Sequence, residues 1–255
     1  MKKLAISFIF VLCGCHAGSF ATKTTDNETT DIAIQVGALN KAEELVVNDL
    51  KQNPENKGLR FQLADIYARQ NKLDLEYQEL STLKQKSPIG SKDYARVNLA
   101  IMRNCLIRND YKCTSVTWQQ AMVEQNSLDL LSDEQKGLAN MYIGVAICKE
   151  NDYDLCIKYL NEARVYLPGN PAIIDNIQLA RYMQGMYEKT PDINLLYSGL
   201  KNTKSDPIYF NLIMALVNKG DTGKAYELLS MRYPPETSML IVNDLKKLKS
   251  KNVAY

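Results

Sequence analysis

The feature that most constrains this chain is a helical period interrupted again and again at the same distance. Apolar residues recur at three- and four-residue steps, as in Leu59, Leu63, Ile66 and Tyr67 or Met141, Val145 and Cys148, and the alternation of a half-buried strand is scarce. Stops fall at Asn53-Pro54, Ser87-Pro88, Leu167-Pro168 and Asp206-Pro207, and Pro54 and Pro88 lie 34 residues apart. The stretch from Gly137 to Asn170 is itself one 34-residue unit that ends in PGN after its second helix. A single helical hairpin of this size cannot bury its apolar face alone, so copies must stack and share a continuous core. With 45% hydrophobic residues the chain has ample material for that core.

In GLANMYIGVAICKENDYDLCIKYLNEARVYLPGNP, Gly144 holds a small position in the first helix and Asn151-Asp152-Tyr153 forms the turn. Cys156, Leu160 and Ala163 then line the second helix and Pro168 ends it. The segment resembles a full tetratricopeptide unit, with Cys156 where a small Ala is usual. LIMALVNKGDTGKAYELL repeats the pattern through Gly220-Asp221, Ala225 and Leu229. Weaker units run from about Lys23 to Asn56, Lys57 to Gly90, Ala95 to Leu128 and Pro171 to Lys204, with insertions near Ser91 and at Asp129 to Lys136. The resemblance implies an all-α fold: a right-handed α-solenoid of about six tetratricopeptide (helix-turn-helix) repeats plus a C-terminal capping helix from about Thr237 to Ser250. In that helix Leu240, Leu245 and Leu248 are expected on one side. Lys246, Lys247, Lys249 and Lys251 lie elsewhere, on a solvated face or against an acidic partner.

The N-terminus reads as an export signal. MKKLAISFIFVLCGC carries Lys2 and Lys3 ahead of an apolar run from Leu4 to Gly14 that is too short to span a bilayer. Leu12-Cys13-Gly14-Cys15 fits the bacterial lipobox, whose cysteine becomes diacylated; the other reading is an ordinary signal cut after Ala17 or Ala21. The domain reading is therefore residues 1–14 as lipoprotein signal peptide, 15–28 as a Thr-rich flexible tether, and 29–255 as the repeat domain. Cys15 is the expected lipidation site, and several acyl chains make an anchor that does not readily dissociate. His16, where an Asp is absent, implies by resemblance to enterobacterial lipoproteins the outer membrane, with the protein lipid-anchored on its periplasmic face.

Export sets the redox compartment for Cys105, Cys113, Cys148 and Cys156, which occur as CLIRNDYKC and CKENDYDLC. Zinc ligation requires both pairs to converge, and redox catalysis usually wants closer spacing. The third reading is a brace: each pair flanks one helix-helix turn, which brings the two cysteines face to face within disulfide reach. We expect Cys105–Cys113 and Cys148–Cys156, each closing nine residues for about 2–3 kcal/mol. The other possibility is that some remain buried thiols.

Catalytic chemistry finds little to work with. The one histidine is His16, beside the lipobox, and no Gly-rich phosphate loop, His-Glu-x-x-His or Cys-x-x-Cys is present. We expect no enzyme, no cofactor and no metal site. Net charge is +2, with nothing to announce nucleic acid. Binding remains. Register assigns to the inner face Phe61, Asp65 and Arg69, then Leu99 and Arg103, Met141 and Val145, Asp175, Leu179 and Tyr182, and Phe210 and Met214. These form either a groove for a peptide or helix of another protein, or, with a register error of one residue, core positions. Asn98, Asn140, Asn176 and Asn211 recur in the first helices and could hold a ligand backbone. Trp118 is read as core.

The whole pattern resembles pilus-assembly lipoproteins: those of the tight-adherence (Flp-type pilus) machinery and the type IV pilus pilotins. LPGNPAIIDNIQLARYMQG and DPIYFNLIMALVNKGDTGKAYELL are nearer the first group. The paired cysteines and the degenerate first two repeats depart from both. The resemblance implies a non-catalytic scaffold or pilotin whose protein partner is a secretin or pilus-assembly component. The alternative is a periplasmic chaperone or an adaptor for peptidoglycan enzymes on the same fold.

Overall fold

The computed structural model describes residues 28–184 and 206–252. The signal segment 1–14, Cys15, most of the tether, the second half of the Pro171–Lys204 repeat, and the side chains of Tyr182, Leu248, Lys249 and Lys251 lie outside the described residues. Those described form α-helices and helical turns and no strand. They fall into two compact units, one ending at Glu150 and one starting at Asn151.

The first unit is built from antiparallel pairs: α1 (Glu28–Gln35) with α2 (Leu39–Gln52), α3 (Lys57–Arg69) with α4 (Leu73–Lys86), and α5 (Lys92–Ile107) with α6 (Tyr111–Thr117). A π-helical turn (Trp118–Val123) and a 3-10 turn (Ser127–Leu130) then lead into α7 (Asp133–Lys149). The second unit holds α8 (Tyr153–Tyr166), α9 (Pro171–Met183), α10 (Asp206–Lys219), α11 (Thr222–Ser230) and α12 (Pro235–Asn252).

The corner of each pair has a common cause. Gly37, Asn71, Asn109, Asn151 and Gly220 all adopt positive φ, between 58° and 89°. Glycine and asparagine visit this left-handed region most cheaply, and a helix that ends there folds back on its own carbonyls. The amides that follow donate accordingly: Ala38 to Ala33, Lys72 to Tyr67, Asp110 to Cys105 and Asp221 to Leu216, at 2.8–2.9 Å. Asp110, Asp152 and Asp221 cap the next helix by accepting from the amides of Cys113, Leu155 and Lys224. Gly37 and Asn71 stand 34 residues apart, so the period seen in the prolines is repeated by the corners.

Each helix pair shares its apolar side with the next. Ala42 and Val46 of α2 pack with Leu59, Leu63 and Ile66 of α3. The opposite side of α3, Phe61 and Ala64, packs with Leu80 and Leu83 of α4 and Val97 and Ile101 of α5. In the second unit, Leu212, Leu216, Ala225, Leu229 and Val242 join α10, α11 and α12. The expected repeat positions Ala42, Leu63, Ala64, Tyr67, Ala121, Gly144, Leu160, Ala163, Ala225 and Leu229 are all buried, as is Trp118. Gln62 Nε2, buried beside them, donates to Asp31 Oδ1.

Two expectations need correction. The closing helix begins at Pro235, and Ser238, Ile241, Val242 and Leu245 face its neighbours, whereas Leu240 is 60% exposed. Leu240 and Leu245 are five residues apart, about 140° around a helix, so they cannot share a face. The third repeat starts at Lys92, three residues before the expected Ala95, because Ser91 accepts from the Tyr94 amide as the N-cap.

Candidate protein-binding face

The register that the sequence assigns to the inner face is read, in the first unit, from each corner. On α3 it runs through Phe61, Asp65 and Arg69; on α5, through Arg96, Leu99, Ala100 and Arg103. Arg69 Nε pairs with Asp65 at 2.9 Å, one helical turn back. The Arg96 guanidinium lies 5.3 Å above the ring of Phe61, which tethers a flexible side chain from α5 over α3. Arg103 reaches Glu76 of α4 at 3.4 Å. Glu76 is itself buried; Asn104 Nδ2 donates to it at 2.9 Å and to the Leu73 carbonyl at 2.8 Å. Burial pushes the Glu76 carboxyl above the usual range, and Asn104 and Arg103 pull it back. The result is a strip of three guanidinium groups, each with a partner in the protein, Asp65, the Phe61 ring or Glu76; Arg69 is exposed, Arg96 and Arg103 half-buried.

Of the remaining expected residues, Phe61, Leu99, Met141, Val145 and Leu179 are buried and offer no surface. Helix α7 explains part of this, since every residue from Gly137 to Cys148 is buried, twelve in a row. A helix apolar on all sides belongs inside a core, and the 3-10 turn Ser127–Leu130 packs on both α5 and α7. Phe210 (40% exposed) and Met214, one turn apart on α10, keep surface in the second unit. Near them Asp175 is 1% exposed, with Asn211 Nδ2 donating to Oδ2 at 2.7 Å and Oδ1 without a partner. Burial raises its carboxyl to about 7 against the lowering effect of Asn211.

Three of the four recurrent asparagines use their amide nitrogens within the protein. Asn98 and Asn140 donate to the carbonyls four residues back, Tyr94 at 2.8 Å and Lys136 at 3.0 Å, and Asn211 serves Asp175. Sequence reasoning missed Arg96, whose signal was available: it lies seven residues before Arg103, two helical turns along the same stripe.

Cys105 and Cys113 are joined Sγ to Sγ with their Cα atoms 5.8 Å apart. Cys148 and Cys156 are also each disulfide-bonded. Among the described residues no three His, Cys, Asp or Glu side chains gather as a metal site, and no helix is long and apolar enough to cross a membrane.

A chain in the crystal structure of the APC/C hetero-tetramer Cut9-Hcn1, itself a tetratricopeptide-repeat helical solenoid, superposes with a TM-score of 0.67. The chain is an all-helical, tetratricopeptide-like solenoid. The match covers 86% of this chain and 41% of that one at 15% identity, so the likeness is one of fold. No family model and no curated protein matches the sequence. The residues of this register that keep surface include Arg69, Arg96 and Arg103 in the first unit and, separately, Phe210 and Met214 in the second.

Proposed function

We propose that this protein is a non-catalytic scaffold that grips another protein through the inner strip of α3 and α5 while an N-terminal lipid on Cys15 holds it at the outer membrane. The observation that carries the reading is that strip. Arg69, Arg96 and Arg103 hold their guanidinium groups against Asp65, the Phe61 ring and Glu76 and remain exposed or half-buried, beside α7, whose residues from Gly137 to Cys148 are all buried. Supported arginines lose little freedom on binding and offer several donors each. The lipobox and the oxidised body cysteines support an envelope location. The resemblance of the repeats to tight-adherence lipoproteins supports a secretin or pilus-assembly component as the partner.

The test is a pull-down from detergent-solubilised membranes with the lipidated protein. We expect a secretin or pilus subunit in the eluate, lost when Arg96 and Arg103 are both replaced by Ala. Recovery of peptidoglycan enzymes alone sinks the pilus reading in favour of an adaptor. Cys15→Ser releases the protein from the membrane; a variant that stays bound removes the anchor.

A further inference from the structure

The two cysteine corners are twins in sequence but differ in register. Counted from the left-handed asparagine, Cys113 stands four residues beyond Asn109, and Cys156 five beyond Asn151. One residue is about 100° of rotation on a helix. Cys156 therefore takes the place that buried Thr114 holds in the first corner, while Cys113 takes that of Leu155, which is 37% exposed. The consequence is visible in the burial: Cys105, Cys148 and Cys156 are at 0–1% exposure, and Cys113 is half-buried. Helix α6, which carries Cys113, has seven residues, too few to persist unaided. It is held to α5 by packing, by the bridge and by the Thr114 hydroxyl donating to the Met102 carbonyl at 3.3 Å, and it also packs on α7. Beyond it the Trp118–Leu130 segment lies against α5.

We propose that Cys105–Cys113 is an exchangeable bridge: Cys113 Sγ is the point of attack for a protein dithiol of the Cys-x-x-Cys type, and opening it frees α6 and the Trp118–Leu130 segment from α5. A thiolate of the dithiol attacks Cys113 Sγ and forms a mixed disulfide, breaking the bond to Cys105 Sγ, which leaves as a thiolate and takes a proton from water. The second thiol of the dithiol then attacks its own sulfur in the mixed disulfide. Cys113 leaves as a thiol, and the reductant departs as a disulfide, two electrons poorer. Attack from the Cys105 side is blocked by burial, and access governs such exchange.

The experiment uses the purified full-length oxidised protein and is read without any binding partner, so its outcome is separate from the function proposed above. Native protein is treated with graded dithiothreitol, quenched, alkylated and mapped by mass spectrometry. Cys105 and Cys113 are expected to become alkylated at least tenfold faster than Cys148 and Cys156, with faster amide exchange over residues 111–130. A thioredoxin-type probe with its second active-site cysteine changed to Ser is expected to be trapped on Cys113. Equal or faster reduction of Cys148 and Cys156, an adduct on any other cysteine, or unchanged exchange over 111–130 overturns the proposal. The Cys105→Ser, Cys113→Ser double variant should reproduce the exchange pattern of the reduced protein with no reductant present.

Discussion

Helices α5 and α7 turn the same corner with the same parts. Each places an asparagine (Asn98, Asn140) eleven residues before a left-handed asparagine (Asn109, Asn151), and each inner asparagine donates to the carbonyl four residues back. In both corners the following tyrosine, Tyr111 or Tyr153, donates its hydroxyl to the corner asparagine at 2.8 Å. The inner stripes nonetheless differ. Where α5 carries Arg96, Ala100 and Arg103, the same register on α7 carries Leu138, Tyr142 and Val145, all buried. At these three positions α5 keeps two half-buried arginines and buries only Ala100, whereas α7 buries all three.

The most severe way to break this contrast is to write the α5 pattern onto α7. Val145→Arg buries an unpaired charge at a site 2% exposed, and we expect a loss of about 4–5 kcal/mol in chemical unfolding. The reciprocal Arg103→Val leaves the buried Glu76 without its cation, so it should cost about 1–3 kcal/mol as well as weaken partner capture.

The second unit extends the contrast to a buried acid. The Asp175 carboxyl sits at about 7 in the folded protein, above the ordinary 3.8. Between those values the folded state holds a proton that the unfolded chain has released, so this group's contribution to stability falls as pH rises from about 4 to about 7 and is level above. The slope is at most about 1.4 kcal/mol per pH unit. Unfolding of the wild type against Asp175→Asn over that range measures it, and parallel curves would falsify the assignment.

A smaller effect is expected at the corners. Asn109→Ala or Asn151→Ala keeps a Cβ at φ of 60° or 68° but removes the side-chain amide that eases this conformation and accepts from Tyr111 or Tyr153, costing about 1 kcal/mol each, whereas Gly at either position should be nearly neutral. The smallest concerns the outer surface: Lys86→Ala removes a 2.7 Å pair with the exposed Glu55 and should leave the melting temperature nearly unchanged.

Much of the fold was legible because it is local. The period, the corner at Asn151-Asp152-Tyr153 and its match at Gly220-Asp221 follow from which residues tolerate a left-handed turn and cap a helix. The repeat phase was also legible: Phe61, Leu99, Met141 and Phe210 each stand ten residues before a positive-φ corner, although the first three are buried. What periodicity cannot report is whether a face is covered, because the cover comes from elsewhere in the chain. Leu99 and Met141 stand in phase with Phe210 and are buried, and the 3-10 turn that packs on α5 and α7 has no helical period to announce it. Gly37 and Asn71 went unread as corners because Ala38 and Lys72 stand where Asp110, Asp152 and Asp221 cap the helix after the other three.

The bridged corner also has a mechanical meaning. If α5 and α6 are drawn apart from their far ends, tension passes from Cys105 straight to Cys113, and the residues between them carry none. The oxidised chain is thus shorter under load by roughly 20 Å than the same chain reduced, the extended length of eight residues less the 5.8 Å between the two Cα atoms. Single-molecule pulling would see that difference as one discrete step in contour length, and so could count how many molecules in a population carry the closed bridge.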